Sequence, residues 1–218
     1  MSSRDVILNR VRRALSGTPA VEESVDRTYL VEHGSRSTEE TVDLLAENLA
    51  DYRAIVHRAD ADGLAQLLRR LLSERGARSV LVPPGLDASW LETAGDLARV
   101  ADRAELTPQE LDAVDSVVTG CAVAIAETGT IVLDGSPDQG RRRITLVPDH
   151  HICVVRVPGQ VVSSVPQALR RLDPGRPLTW ISGPSATSDI ELDRVEGVHG
   201  PRTLEVVLLS EGGSARLA

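Results

Sequence analysis

The chain has 218 residues, 41% of them hydrophobic, and a formal net charge of −8. That length can bury a full core as one large domain, and no apolar run is long enough to span a membrane. The acidic balance and the absence of phenylalanine argue against a general nucleic-acid binder, and all 24 basic residues are arginine, which excludes a Schiff-base lysine, pyridoxal-phosphate chemistry and a P-loop lysine.

The N-terminus is charged throughout and lacks the apolar stretch of a signal peptide. Its first element reads as a basic amphipathic helix over 3–15, with Val6, Ile7, Val11, Ala14 and Leu15 in a stripe and Gly17 and Pro19 ending it. A polar, irregular stretch over 18–36 reads as a linker. Ser37 and Glu40 form a capping box for a helix running to about Ala50, followed by a short strand over 53–57. Asp62 is expected to cap the next helix, which carries Leu64, Leu67, Leu68, Leu71 and Leu72 and closes at Gly76. Strands are expected at 79–82 and 98–101, with a short helix around 89–94 between them. Thr107, Pro108 and Glu110 start another helix.

The most apolar stretch, 115–135, reads as two strands, 116–121 and 130–133, meeting at the turn Glu127, Thr128, Gly129. Ala122, Ala124 and Ala126 between them let backbones approach. A loop over 134–140, expected to be flexible, leads to Arg141, Arg142 and Arg143. Further strands follow at 152–157, 178–182 and 204–209, with a helix over 164–172 and a disordered tail at the end. Strands alternating with helices, in uninterrupted apolar runs, predict an α/β fold: a mainly parallel sheet flanked by helices, with an N-terminal helical extension and residues 130–133 among the inner strands. The expected division is 1–36 helix and linker, 37–210 main domain, 211–218 tail.

Chemistry is sparse but clustered. No GxGxxG, CxxC or HExxH occurs. Cys121 and Cys153 lie in apolar segments and read as buried free thiols, consistent with a cytoplasmic location. The adjacent His150 and His151 should point to opposite faces of a strand, one packed and one in solvent. Glu127 places a carboxylate at the end of an apolar segment, either as a turn cap or as a working group. Three segments abut strand ends, where α/β sheets collect ligand sites. They are Glu127, Thr128, Gly129 and Thr130; the 182–189 loop with Gly183, Ser185, Ser188 and Asp189; and the turn holding His199. The expectation is one pocket, with the glycines admitting a ligand, the hydroxyls orienting it and Arg141 or its neighbours neutralising an acidic group.

Four ordered motifs carry a resemblance: Glu127-Thr-Gly-Thr-Ile-Val-Leu133, Leu146-Val-Pro-Asp-His-His151, the run from Ser182 to Glu191, and Gly197-Val-His-Gly-Pro201. Together they resemble the LUD-domain family, over roughly residues 39–209. The resemblance implies a fold like that of the ribose-5-phosphate isomerase, glucosamine-6-phosphate deaminase and CoA-transferase group. It also implies a part in oxidising L-lactate to pyruvate with two partner proteins, at least one carrying iron–sulfur clusters. Two distant cysteines cannot hold a cluster, so no cofactor is expected in this chain. Two readings stay open. As an accessory component, the chain docks partners or holds a small carboxylate. As a stand-alone enzyme, it uses Glu127 as nucleophile or base, as in similar CoA-transferases, or performs isomerase-like chemistry.

Overall fold

The computed structural model describes residues 2–16, 28–187, 195–196 and 200–210. Six strands, β1 (Ile55–Asp60), β2 (Ser79–Val82), β3 (Ala98–Ala101), β4 (Ser116–Thr119), β7 (His150–Val157) and β12 (Thr203–Ser210), form one sheet in the order β1-β12-β7-β4-β2-β3. Every neighbouring pair in it is parallel. A second, four-stranded sheet is ordered β8-β5-β6-β9, from β5 (Val123–Ile125), β6 (Thr130–Leu133), β8 (Val161–Val162) and β9 (Thr179–Ile181). Two short strands, β10 (Ala186–Thr187) and β11 (Val195–Glu196), pair antiparallel. The α/β class and the mainly parallel sheet thus agree with the sequence.

Alternation along the strands decides what covers each face. On β7 and β12, Ile152, Val154, Val207 and Leu209 pack with Leu64, Leu68, Leu71 and Leu72 of α3 (Leu64–Glu74). The intervening Cys153, Val155, Leu204, Val206 and Leu208 pack with Val42, Leu45 and Leu49 of α2 (Thr38–Asp51), together with Ala124 and Ile131 of the small sheet. Burial on both faces explains why these strands read as continuous apolar runs. α4 (Pro108–Asp112) closes the β2–β4 end with Leu81, Val117 and Ile144. α5 (Val165–Leu169) sets Ala168 against the far face of the small sheet. α1 (Ser3–Leu15) contributes no buried residue. No helix among the described residues is long and apolar enough to cross a membrane.

Several expectations need correction. The stretch 115–135 holds three strands in two sheets: β4 ends at Thr119, the chain changes sheet at 120–122, and the alanine-rich segment is itself a strand, β5. β6 is therefore an inner strand of the antiparallel-containing sheet and not of the parallel one. Ala124 and Ala126, which read as admitting close backbone approach, pack in one cluster with Val42, Leu45 and Leu49 of α2. α3 starts without a side-chain cap: Asp60 of the preceding strand, not Asp62, accepts from the Gly63 N–H at 2.8 Å. The 134–140 loop is held at both ends and the middle, as set out below. His150 and His151 are both buried, because β7 is flanked by β12 and β4 and each imidazole finds a partner there.

Candidate functional site

The sheet order reverses between β2 and β4: β2 leads outward to β3, while β4 leads back toward β7. Ligands of open α/β sheets bind above the C-terminal strand ends at such a point. Here the crevice holds the chain's own loop. Gly85 N–H, after β2, donates to Pro137 O at 2.9 Å, and Gly120 N–H, after β4, donates to Asp138 O at 3.0 Å. A Cβ on Gly85 would lie 2.4 Å from Pro137 Cβ, and one on Gly120 would lie 2.2 Å from Asp138 Oδ2, so both glycines are there to admit this loop. Asp134 N–H donates to Gln139 Oε1, and Arg176 Nη1 donates to Asp134 Oδ2 at 2.6 Å. Burial pushes the Asp138 carboxyl above the usual carboxylate range, opposed by Arg156, whose Nη1 lies 3.8 Å away while its guanidinium stacks 5.2 Å from the Trp90 ring centroid.

Beside the loop a cavity of about 670 Å³ opens, within the size range of small-molecule sites. Pro84 and Asp102, following β2 and β3, line it with Ser136, Gln139, Arg141 and Arg142. The three consecutive arginines separate by role. Arg141 is locked onto Asp102, its Nε donating to Oδ1 at 2.7 Å and its backbone N–H to Oδ2 at 2.9 Å. Arg143 Nη2 donates to Leu106 O. Arg142 is exposed on the cavity wall and, among the described residues, pairs with no carboxylate. The sequence pointed to Arg141 or its neighbours, and of the three Arg142 is the one whose guanidinium no other group engages among the described residues.

The other expected site residues divide among different places. Glu127 follows β5 in a single 3-10 turn over Ala126–Thr128, and its carboxylate accepts from Arg36 Nη1 at 3.3 Å and meets His33 Nδ1 at 2.9 Å. Residues 31–36, which read as linker, are tied down here: Ser164 Oγ donates to Val31 O, and Gln167 Nε2 to Glu32 Oε1 at 2.6 Å. Thr128 and Thr130 share a hydroxyl chain that continues to Ser182 Oγ, 2.8 Å from Thr130 Oγ1. Gly129 (φ +54°) and Gly183 (φ +79°) do admit close approach, but of protein: an added Cβ would meet Asn48 carbonyl carbon at 2.7 Å and Tyr52 O at 2.2 Å. Gly183 and Ser185 line a smaller cavity of about 250 Å³ with His151, and Ser185 N–H donates to Pro201 O. Thr130 thus reaches the 182–185 segment, whereas Arg141 lines the cavity beside the 134–140 loop and Glu127 is engaged by Arg36 and His33. Ser188, Asp189, His199 and the tail lie outside the described residues.

Two further buried polar groups are His151 and Glu205, of which Glu205 went unread in the sequence. Burial, with the neighbouring His150, pushes His151 down to about 3, so it is a neutral imidazole whose Nε2 meets Thr119 Oγ1 at 2.8 Å. At the N-terminal edge of the sheet, on the α3 face, Glu205 joins His150 Nε2 at 3.1 Å and His57 Nε2 at 2.7 Å, and His150 Nδ1 meets Ser116 Oγ at 2.8 Å. Glu205 alone interrupts the apolar run of β12, which was the signal available.

The LUD domain model matches residues 42–209. A relative described as lactate utilization protein C from Deinococcus radiodurans is 49% identical over 167 residues, 75% of this chain and 76% of its own. Lactate utilization protein C of Bacillus subtilis (strain 168) is 25% identical over 239 residues, covering 97% and 98%. The crystal structure of a DUF162 family protein from D. radiodurans at 1.70 Å matches with a TM-score of 0.69 at 41% identity, over 80% of this chain and 99% of that one. A domain match across the sheet-forming region, joined to this identity and this structural agreement, means that the chain belongs to the LUD-domain family.

Proposed function

We propose that this protein is an accessory component of an iron–sulfur system that oxidises L-lactate to pyruvate, working in the cytoplasm on a small organic acid. The observation that carries this reading is the 49% identity with a relative described as lactate utilization protein C. The cavity at the C-terminal edge supports it, since exposed Arg142 offers a planar fork suited to a carboxylate. Removing two electrons from lactate requires an acceptor. The proposal puts the clusters in partner proteins and gives this chain the task of holding the acid. Among the described residues no group of three or more His, Cys, Asp or Glu is placed to hold a metal.

A second reading makes the chain an enzyme with CoA-transferase-like chemistry. The observation favouring it is the Glu127–His33 contact, a carboxylate and an imidazole 2.9 Å apart with Glu127 partly exposed. Lactate oxidation reconstituted from the partner proteins, with and without this chain, tests the first reading, which expects a rate at least about tenfold lower without it. Equal rates refute it. Glu127→Gln separates the two readings: the accessory role expects retained lactate-dependent activity and a melting point lowered by a few degrees as the 31–36 segment loosens. Loss of about tenfold in activity at an unchanged melting point would establish the enzyme.

A further inference from the structure

A third cavity, of about 410 Å³, lies between the start of α2, β8 and α5, away from the site proposed for the organic acid. Three arginines line it, Arg36, Arg170 and Arg171. Its floor is apolar: Val42, Val161 and Val162 are buried beneath it. Thr41 and Ser163 also line it.

The charge balance sets the ligand. Arg36 is already engaged by Glu127, and the other carboxylate bonded to a lining group, Glu32, accepts from Gln167. Arg171 donates one N–H to Gly159 O at 2.8 Å. Among the described residues neither Arg170 nor Arg171 pairs with a carboxylate, although acidic residues outnumber basic ones 32 to 24 in the chain. Two consecutive arginines at a cavity wall, neither paired with a carboxylate among the described residues, match a dianion. The start of α2 adds nothing by itself, because Ser37 Oγ already accepts from Glu40 N–H and Glu40 already receives the Ser37 N–H. The arginines and the valine floor carry the argument.

We infer that this cavity binds a phosphomonoester, with Arg170 and Arg171 on the phosphate and the carbon body on the valines. Guanidinium forks bind phosphate oxygens in pairs, and an apolar floor rewards an organic substituent over bare phosphate. Calorimetric titration of the full chain with inorganic phosphate and with phenyl phosphate, at constant ionic strength, tests this. One saturable site is expected, tighter for phenyl phosphate. The double variant R170A/R171A should weaken it by about tenfold or more, the loss of one charge-assisted bond or more. Should that variant fail to fold, Arg170→Ala, at an exposed side chain, should still weaken binding several-fold. No saturable binding of either probe, or unchanged affinity in a folded variant, overturns the inference. Neither result bears on the lactate reading, because the titration uses this chain alone and no lactate.

Discussion

Glu205 offers the sharpest test of how this fold holds charge in its core. The residue is 4% exposed and lies on the third position of β12. Its carboxylate meets His57 and His150, and Arg75 Nε lies 3.5 Å away. Replacing it by alanine orphans the buried Nε2 of His150, a residue 5% exposed, while its Nδ1 keeps Ser116. That orphaned group costs about 1–3 kcal/mol, whereas His57 and Arg75 reach water and lose little. Breaking a buried ionic contact from one side costs about 3–5 kcal/mol in general, so about 3 kcal/mol is expected for Glu205→Ala. At this chain length that lowers Tm by about 6–12 °C, and Glu205→Gln, which keeps shape and one acceptor, by about 2–4 °C.

The pH dependence carries the second half of the test. Burial raises the Glu205 carboxyl, but hydrogen bonds and charge from His150 and His57 outweigh it, and the net position is below the usual carboxylate range. A depressed carboxylate contributes stability that is present above the ordinary value, about 4.3, and is lost as pH falls through the folded value. Thermal melts of wild type and Glu205→Gln from neutral pH downward should therefore converge in acid. A Tm for Glu205→Ala within about 2 °C of wild type at neutral pH, or parallel acid curves, would refute the reasoning.

Two glycines should respond differently to alanine. Gly183→Ala forces a Cβ onto Tyr52 backbone at positive φ, where neither side can yield, and should cost more than about 2 kcal/mol by chemical denaturation. Gly120→Ala instead meets the end of the Asp138 side chain, which can swing away, so its cost should be smaller and proteolysis of the 134–140 loop faster. Both cysteines are buried, and Cys121 is raised well above the usual thiol value by its contact with Cys153 and by burial; neither should react with a thiol reagent until the protein unfolds, when two thiols should appear. A native chain that titrates at once would contradict the packing of β4 against β7.

The chain order of residues was enough for whatever depends on local chemistry. The capping boxes at Ser37 and Thr107, the left-handed Gly76 closing α3 and the apolar runs of β2, β7 and β12 are legible because their partners lie within a few residues or their periodicity is uniform. The parallel α/β class follows from that alternation. Family membership was legible too, since ordered motifs are a property of the sequence itself.

Tertiary structure alone decided which charges meet. Arg141 is spent on Asp102, 39 residues earlier, and Glu127 on Arg36, 91 residues earlier, leaving Arg142, Arg170 and Arg171 facing cavities. The change of sheet at 120–122 was equally illegible, because valines and alanines suit either sheet and only the packing of α2 selects. Glycine pointed to close approach at positions 129 and 183, and the structure shows it there and also at 85 and 120, which the sequence did not single out. It could not say what approaches, since a missing Cβ admits a ligand and a backbone alike, and here the space goes to the chain's own loop, helix and turn.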